Sequence, residues 1–89
     1  MEDSPKAVDV IGVFGADGSV RPLRIQFQDD NRQMIRVNIE SVVKCENVQI
    51  VGAEAIVFVC KAFLWGNKCV FELKYSIRSH SWSLLRRLH

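Results

Sequence analysis

Residues 8–27, VDVIGVFGADGSVRPLRIQF, decide the fold of this chain. Two runs rich in β-branched and aromatic residues flank Asp17-Gly18, a pair that tolerates the positive φ angles of a tight hairpin turn. A two-residue loop at Asp17-Gly18 pairs Val10 with Ile25 and sorts the apolar side chains onto one face. That face holds Val8, Val10, Phe14, Leu23, Ile25 and Phe27. A slip of one residue would turn the whole set to water, so the sorting predicts this register.

The following segment predicts further strands. The polar residues 29–32 form a turn, and residues 33–39 then alternate between apolar and polar side chains. If the apolar faces of this strand and of the preceding one lie on the same side, Phe27 pairs with Ile35 and Ile25 with Val37. This pairing needs a connection with an odd number of residues, centred on Asn31. Residues 39–43 are compatible with a helical turn, but their β-branched content favours a strand. Another strand is expected over residues 43–50, with a turn near Gly52.

The second half of the chain contains a second hairpin signal. Residues 54–63 form a nearly unbroken apolar run, which is typical of a central strand covered on both faces. Gly66-Asn67 follows as a two-residue turn of type II′, which pairs Lys61 with Glu72 and sets opposite charges across the ladder. Residues 68–77 alternate as a strand. We expect residues 81–88 to form a strand as well, with a helix as the alternative.

These elements predict an all-β fold, a small antiparallel barrel or compact sandwich, SH3-like in size, with six or seven short strands joined by hairpins. The 89 residues allow one domain, expected over residues 7–89 after a flexible tail over residues 1–6. Pro22 has no N–H to donate, so it should lie at an edge or a bulge.

Composition narrows the class of protein. The chain is 48% hydrophobic and 25% charged, the balance of a globular domain. It has no apolar run of the roughly 20 residues that cross a bilayer, and no secretion signal at its polar start, so we expect a cytoplasmic protein without a membrane partner.

The cysteines indicate a reducing compartment. There are three of them, Cys45, Cys60 and Cys69, without a Cys-x-x-Cys pair. A zinc site with His80 would need four converging ligands, and the predicted register does not bring the thiols together. We interpret the thiols as buried apolar residues and predict no metal and no cofactor.

Charge indicates a candidate surface. Residues 1–40 carry a formal charge of −2, whereas residues 41–89 carry +4. Basic groups interleaved with an aromatic ring suit single-stranded nucleic acid, because the ring stacks on a base while the cations meet phosphates. In the competing interpretation Trp82 is a core residue and the arginines form an ordinary solvated rim. The candidate residues are Arg78, His80, Trp82, Arg86 and Arg87, with Lys74 and Lys44.

No motif indicates catalysis. The glycines at 12, 15 and 18 precede a strand, whereas a dinucleotide fingerprint must join a strand to a helix. Asp29 and Asp30 are adjacent and suit a solvated turn. The serines around His80 have no identifiable acid partner. We predict no catalytic residues.

Residues 12–25, GVFGADGSVRPLRI, resemble the opening of small single-domain proteins found mainly in Firmicutes. The segment FELKY, residues 71–75, with Trp82, is similar to their C-terminal portion, and the likeness spans most of residues 8–85. The resemblance implies a small β-barrel and carries over no catalytic or binding residues. The tail RRLH, residues 86–89, departs from the pattern.

Three functions follow as hypotheses. The first is a non-enzymatic interaction module that acts through a surface, with a protein partner or a second copy of itself. The second is a nucleic-acid-binding barrel that uses the basic C-terminal face. The third is a small-ligand barrel or enzyme, which a polar pocket holding His80 with a perturbed titration would favour.

Overall fold

A computed structural model describes residues 5–88, with Ile50 described as backbone alone. Over these residues the fold is all-β, as predicted, and consists of seven antiparallel strands in one curled, half-barrel sheet. The strands are β1 (Lys6–Ala7), β2 (Asp9–Phe14), β3 (Val20–Gln28), β4 (Met34–Ile50), β5 (Ala53–Leu64), β6 (Asn67–Ser76) and β7 (Ser81–Arg87). Within the described residues no helix could span a membrane.

The sheet curls so that its two edge strands, β1 and β2, are consecutive in the chain. The strand order is β1-β7-β6-β5-β4-β3-β2, and β1 and β2 are separated in the chain by Val8. The Val8 N–H donates to the Trp82 carbonyl at 3.3 Å, and the Val8 side chain is buried. Residues 1–4 of the predicted tail lie outside the described residues, while Lys6 pairs with Leu84 in β1.

The first hairpin corrects the predicted loop. The Gly15 N–H donates to the Ser19 carbonyl at 2.8 Å and the Gly18 N–H to the Gly15 carbonyl at 3.0 Å, with Gly18 at a φ of 87°. This is a three-residue loop with a glycine in the left-handed region, not the predicted two-residue loop.

The extra loop residue shifts the register near the tip. Phe14 pairs with Val20, and a bulge that leaves Leu23 unpaired restores the predicted Val10–Ile25 pair. Leu23, predicted in the core, is therefore exposed, at 41%. Phe14, also predicted in the core, is 59% exposed, although its ring lies edge-on to the buried Tyr75 ring with centroids 5.7 Å apart. Pro22 lies at this bulge, as predicted.

The connection to β4 is confirmed. Phe27 pairs with Ile35 and Ile25 with Val37. The Asp29 carboxylate accepts hydrogen bonds from the Asn31 and Gln33 N–H groups at 2.9 and 2.8 Å, which holds the odd-length turn.

The β4 strand is longer than predicted. Residues 39–43 are strand, and they join the two expected strands into one of 17 residues. Register shifts between Ile39 and Ser41 and between Val42 and Lys44 interrupt its pairing. Bulges bend a strand, so β4 pairs with β3 before them and with β5 from Ile39 to Ile50.

The second hairpin also corrects the predicted register. Its loop is Trp65-Gly66, with φ angles of 51° and 78°, which are those of a type I′ turn. Because the loop lies one residue earlier than predicted, each β5 residue pairs with a β6 residue two positions earlier than predicted. Every side chain therefore keeps its face, but Lys61 lies opposite Val70. The predicted Lys61–Glu72 pair is therefore wrong, and Glu72 lies opposite Val59.

The core lies on the inner, concave face of the sheet. Residues 81–87 form the predicted strand, and Trp82 and Leu84 pack against the buried cluster from it. Cys60 and Cys69 are buried, as predicted, whereas Cys45 is exposed, so its predicted burial is wrong. Cys45 is exposed because β3 stops pairing with β4 at Asn38, so β3 does not lie beside the part of β4 that contains Cys45. The buried apolar side chains are Val8, Ile25, Val37, Ala55, Phe58, Cys60, Ala62, Cys69, Phe71, Leu73 and Tyr75.

Candidate interaction surface

The structure divides the predicted surface residues among three places. Lys74 alternates with buried Leu73 and Tyr75, so it lies on the outer, convex face, as do Lys44 and Arg86. Trp82 and Arg87 lie on the inner side, opposite Tyr75 and Phe71 respectively. Arg78 and His80 belong to the exposed β6–β7 turn.

Trp82 is half-buried and packs against other rings. Its ring centroid lies 5.7 Å from Phe58 and 4.7 Å from Tyr75. The Tyr75 hydroxyl also contacts Nδ1 of His80 at 3.0 Å. The contacts with Phe58 and Tyr75 agree with the competing interpretation, in which Trp82 packs against the core.

The outer face of β4–β7 carries an excess of cations. Arg86 donates from Nε to the Glu72 carboxylate at 2.9 Å, and Val57, Val59 and Val70 lie between the charged groups. Three of the cations, Arg36, Lys61 and Lys68, were not among the surface residues predicted from the sequence. Each directly precedes a buried residue, so strand alternation could have placed it on the outer face. The cations are Arg36, Lys44, Lys61, Lys68, Lys74 and Arg86, and the anions are Glu40, Glu46 and Glu72.

Two exposed aromatic residues extend this face at the β5–β6 hairpin. Phe63 is 56% exposed and lies opposite Lys68, while Trp65 is 79% exposed at the tip. The Trp65 φ of 51° is one that Asn or Gly adopts more readily than a bulky residue. A bulky residue in that conformation adds backbone strain, and this one presents its ring to solvent. The predicted type II′ turn placed Trp65 inside the strand and so concealed it.

The edge of β4 is open over its second half. Within residues 5–88, no strand pairs with β4 on its β3 side beyond Asn38. The two-residue turn Val51-Gly52 closes the β4–β5 hairpin, so Ile50 forms the first hydrogen-bonded pair with β5. Every second residue from there back to Lys44 is hydrogen-bonded to β5 in the same way. The backbone groups of the intervening residues Cys45, Asn47 and Gln49 therefore point outward, and their side chains are exposed.

Of three concavities lined by described residues, one is smaller than a usual ligand pocket and two are of the usual size. The one lined by Ile25, Phe71 and Leu84 holds about 210 Å³, below the usual range of about 300–1,000 Å³ for ligand pockets. Two wider grooves, of about 500 and 410 Å³, lie between the β2–β3 hairpin and β4 and include Cys45 and Asn47. Among the described residues, no three His, Cys, Asp or Glu side chains are grouped to hold a metal ion.

The thiols provide a direct test of this geometry. Burial raises the pKa of Cys60 to about 12, with a smaller contribution from the nearby Cys45. At pH 8 we expect iodoacetamide to modify Cys45 quickly, and to modify Cys60 and Cys69 only after denaturation. Mass spectrometry of timed samples would show one fast site, with urea-denatured protein as the control for all three. Fast modification of two or more sites in the native protein would contradict the burial.

Comparison of the chain with models of protein families, with curated proteins and with solved structures found no match. The resemblance to small Firmicutes proteins therefore stays a prediction.

Proposed function

We propose that this protein is a non-enzymatic interaction module that binds an extended protein segment along the open edge of β4. The observation that carries the proposal is the one-sided pairing of β4 beyond Asn38. We place the module in the cytoplasm, a compartment that suits three unpaired cysteines.

Strand addition explains how such an edge binds. The outward N–H and C=O groups of Cys45, Asn47 and Gln49 are the donors and acceptors that an added strand needs. An unpaired edge is ordinarily a liability, and charged side chains discourage indiscriminate pairing. Lys44 and Glu46 supply such charges here, and their opposite signs select a partner whose charges alternate in a complementary way.

A proline at position 47 tests the proposal. Asn47→Pro removes one outward N–H and leaves the β5 ladder intact, whereas Asn47→Ala retains it. We expect decapeptides selected from a displayed random library to bind the Ala variant like the original protein, and the Pro variant about tenfold more weakly, the worth of one lost hydrogen bond. Fluorescence anisotropy of labelled peptides measures both affinities.

The location of the bound peptide provides the second criterion. Amide chemical-shift changes should concentrate on Cys45, Asn47 and Gln49. Selected peptides that bind both variants equally, or that perturb another surface, would contradict the proposal.

The outer face supports single-stranded nucleic-acid binding as a second candidate function. The observation that favours it is the pair of exposed rings, Phe63 and Trp65, next to Lys61 and Lys68. Bases stack on exposed rings while lysines contact phosphates. This arrangement differs from the C-terminal strip that the sequence suggested.

Salt dependence tests this second candidate. Four phosphate contacts would produce a log–log slope of about −3, at about −0.7 per contact. Changing Lys61 and Lys68 to Ala should flatten the slope by about 1.4, whereas changing Arg21 and Arg24 on β3, a strand that does not pair with β5 or β6, should leave it unchanged. Fluorescence anisotropy with a labelled oligonucleotide measures the slope. Undetectable binding at low salt, or equal losses in both double variants, would contradict this candidate.

A further inference from the structure

We propose that the segment recruited by the open edge of β4 is the same edge of a second copy of this chain, paired antiparallel across a two-fold axis at Cys45. This inference rests on the proposed function and names its partner.

The charges on either side of Cys45 carry the inference. Lys44 and Glu46 lie on the outer face with 68% and 58% of their side chains exposed, and Lys44 Nζ is 3.9 Å from the Glu46 carboxylate. A two-fold axis at Cys45 places each Lys44 opposite the second copy's Glu46. The contact then contains two ion pairs between the copies, in an alternating arrangement of four charges.

The hydrogen-bond pattern is compatible with this register. Outward-facing residues must pair with outward-facing residues, and Cys45 is one of them. The Cys45–Cys45 pair is then hydrogen-bonded, and Lys44–Glu46 becomes a non-hydrogen-bonded pair, in which the Cα atoms lie about 4.5 Å apart and the side chains are closer. Asn47 then lies opposite Val43, which is 54% exposed and lies at the register shift between Val42 and Lys44, so the ladder ends there.

The other registers lack this complementarity. An axis at Lys44 or at Glu46 would bring like charges together, which destabilises a cross-strand pair. An axis at Asn47 would leave Glu46 opposite Val48. The ladder of about five residues is short, so we expect a weak dimer, with a dissociation constant in the micromolar range or above.

Charge reversal tests the register. Lys44→Glu and Glu46→Lys each convert both ion pairs into like-charge pairs, so each should weaken dimerisation about tenfold or more, at up to about 1 kcal/mol for each pair. The double variant, K44E with E46K, restores opposite charges and should dimerise like the original chain. Lys74→Glu, on the same face but away from the edge, is the matched control and should leave dimerisation unchanged. Sedimentation equilibrium under reducing conditions measures all five proteins.

Cross-linking through Cys45 locates the axis. In a hydrogen-bonded antiparallel pair the Cβ atoms lie about 5.5 Å apart, within reach of a short bismaleimide and beyond the usual disulfide range. We expect a covalent dimer from the original chain, its loss in Lys44→Glu and its recovery in the double variant. An axis at Asn47 would separate the two Cys45 residues by about 14 Å along the strands and prevent the reaction.

The outcomes separate this inference from the proposed function. A chain that stays monomeric up to about 1 mM overturns self-pairing, and so does a dimer that is insensitive to the charge reversals. If selected peptides then still discriminate between Asn47→Ala and Asn47→Pro, the open edge binds a different protein and the proposed function is retained. If they do not, both fail.

Discussion

Replacing Phe58 with Ala is expected to lower the free energy of unfolding by about 3–5 kcal/mol. The Phe58 side chain is 1% exposed in the centre of β5, and its ring stacks on Trp82 with centroids 5.7 Å apart. Truncation removes this buried area and leaves a cavity that strands paired on both sides of β5 cannot easily collapse. The loss is large because a chain of this size has only about 4–13 kcal/mol in total. Urea denaturation followed by circular dichroism measures it.

The matched control lies five residues away on the same strand. Phe63→Ala removes the same side chain from a position that is 56% exposed, so we expect a change within about 0.5 kcal/mol. If the Phe58 variant does not fold, Phe58→Leu should still fold with a smaller loss. Equal losses at positions 58 and 63 would contradict the assignment of the inner and outer faces.

The second large effect is expected at Trp82. Trp82→Ala removes the ring that contacts both Phe58 and Tyr75, and should cost about 3 kcal/mol, the lower end of the range for such truncations because the ring is half-buried. Trp65→Ala is the control, since this residue is 79% exposed and should change stability by less than about 0.5 kcal/mol. The same urea titration measures both variants.

The pair of tryptophans also separates two functional interpretations. If Trp82 belonged to a nucleic-acid surface, its replacement would weaken oligonucleotide binding and leave the midpoint of the urea transition unchanged. The structure predicts the reverse, with any loss of affinity at Phe63 and Trp65 instead. Unchanged stability of Trp82→Ala would show that its contacts with the core are not formed.

Much of the fold follows from local patterns. The alternation at residues 34–38 and 69–75 predicted strands and their buried faces, because side chains on a strand alternate strictly between two faces. The odd-length turn at Asn31 was predicted correctly. The apolar run of residues 54–63 is a central strand, as predicted, but it is not covered on both faces, because its outer face carries Lys61 and the exposed Phe63. These features depend on near neighbours in the chain, so a single sequence contains them.

The pairing registers next to the two hairpin loops were harder to predict, because the turn residues do not fix the length or the position of the loop. Asp17-Gly18 and Gly66-Asn67 each suit more than one turn type, and the choice moves the pairing by one or two residues. At Leu23 that choice decided which face of the sheet the side chain lies on, whereas at Lys61 it decided only which residue lies opposite. Turn composition identifies where a hairpin reverses more reliably than how many residues its loop contains.

By itself the sequence determined that this chain is a small antiparallel β fold and which faces of β6 and of the first part of β4 are buried. The tertiary structure alone decided three further properties: the bend that frees the edge of β4, the packing of Trp82 against Phe58 and Tyr75, and the division of the C-terminal cations between faces. Each depends on where β3 leaves β4 and how far the sheet curls. These two features depend on bulges and on contacts between residues that are distant in the chain, so no local pattern of residues specifies them.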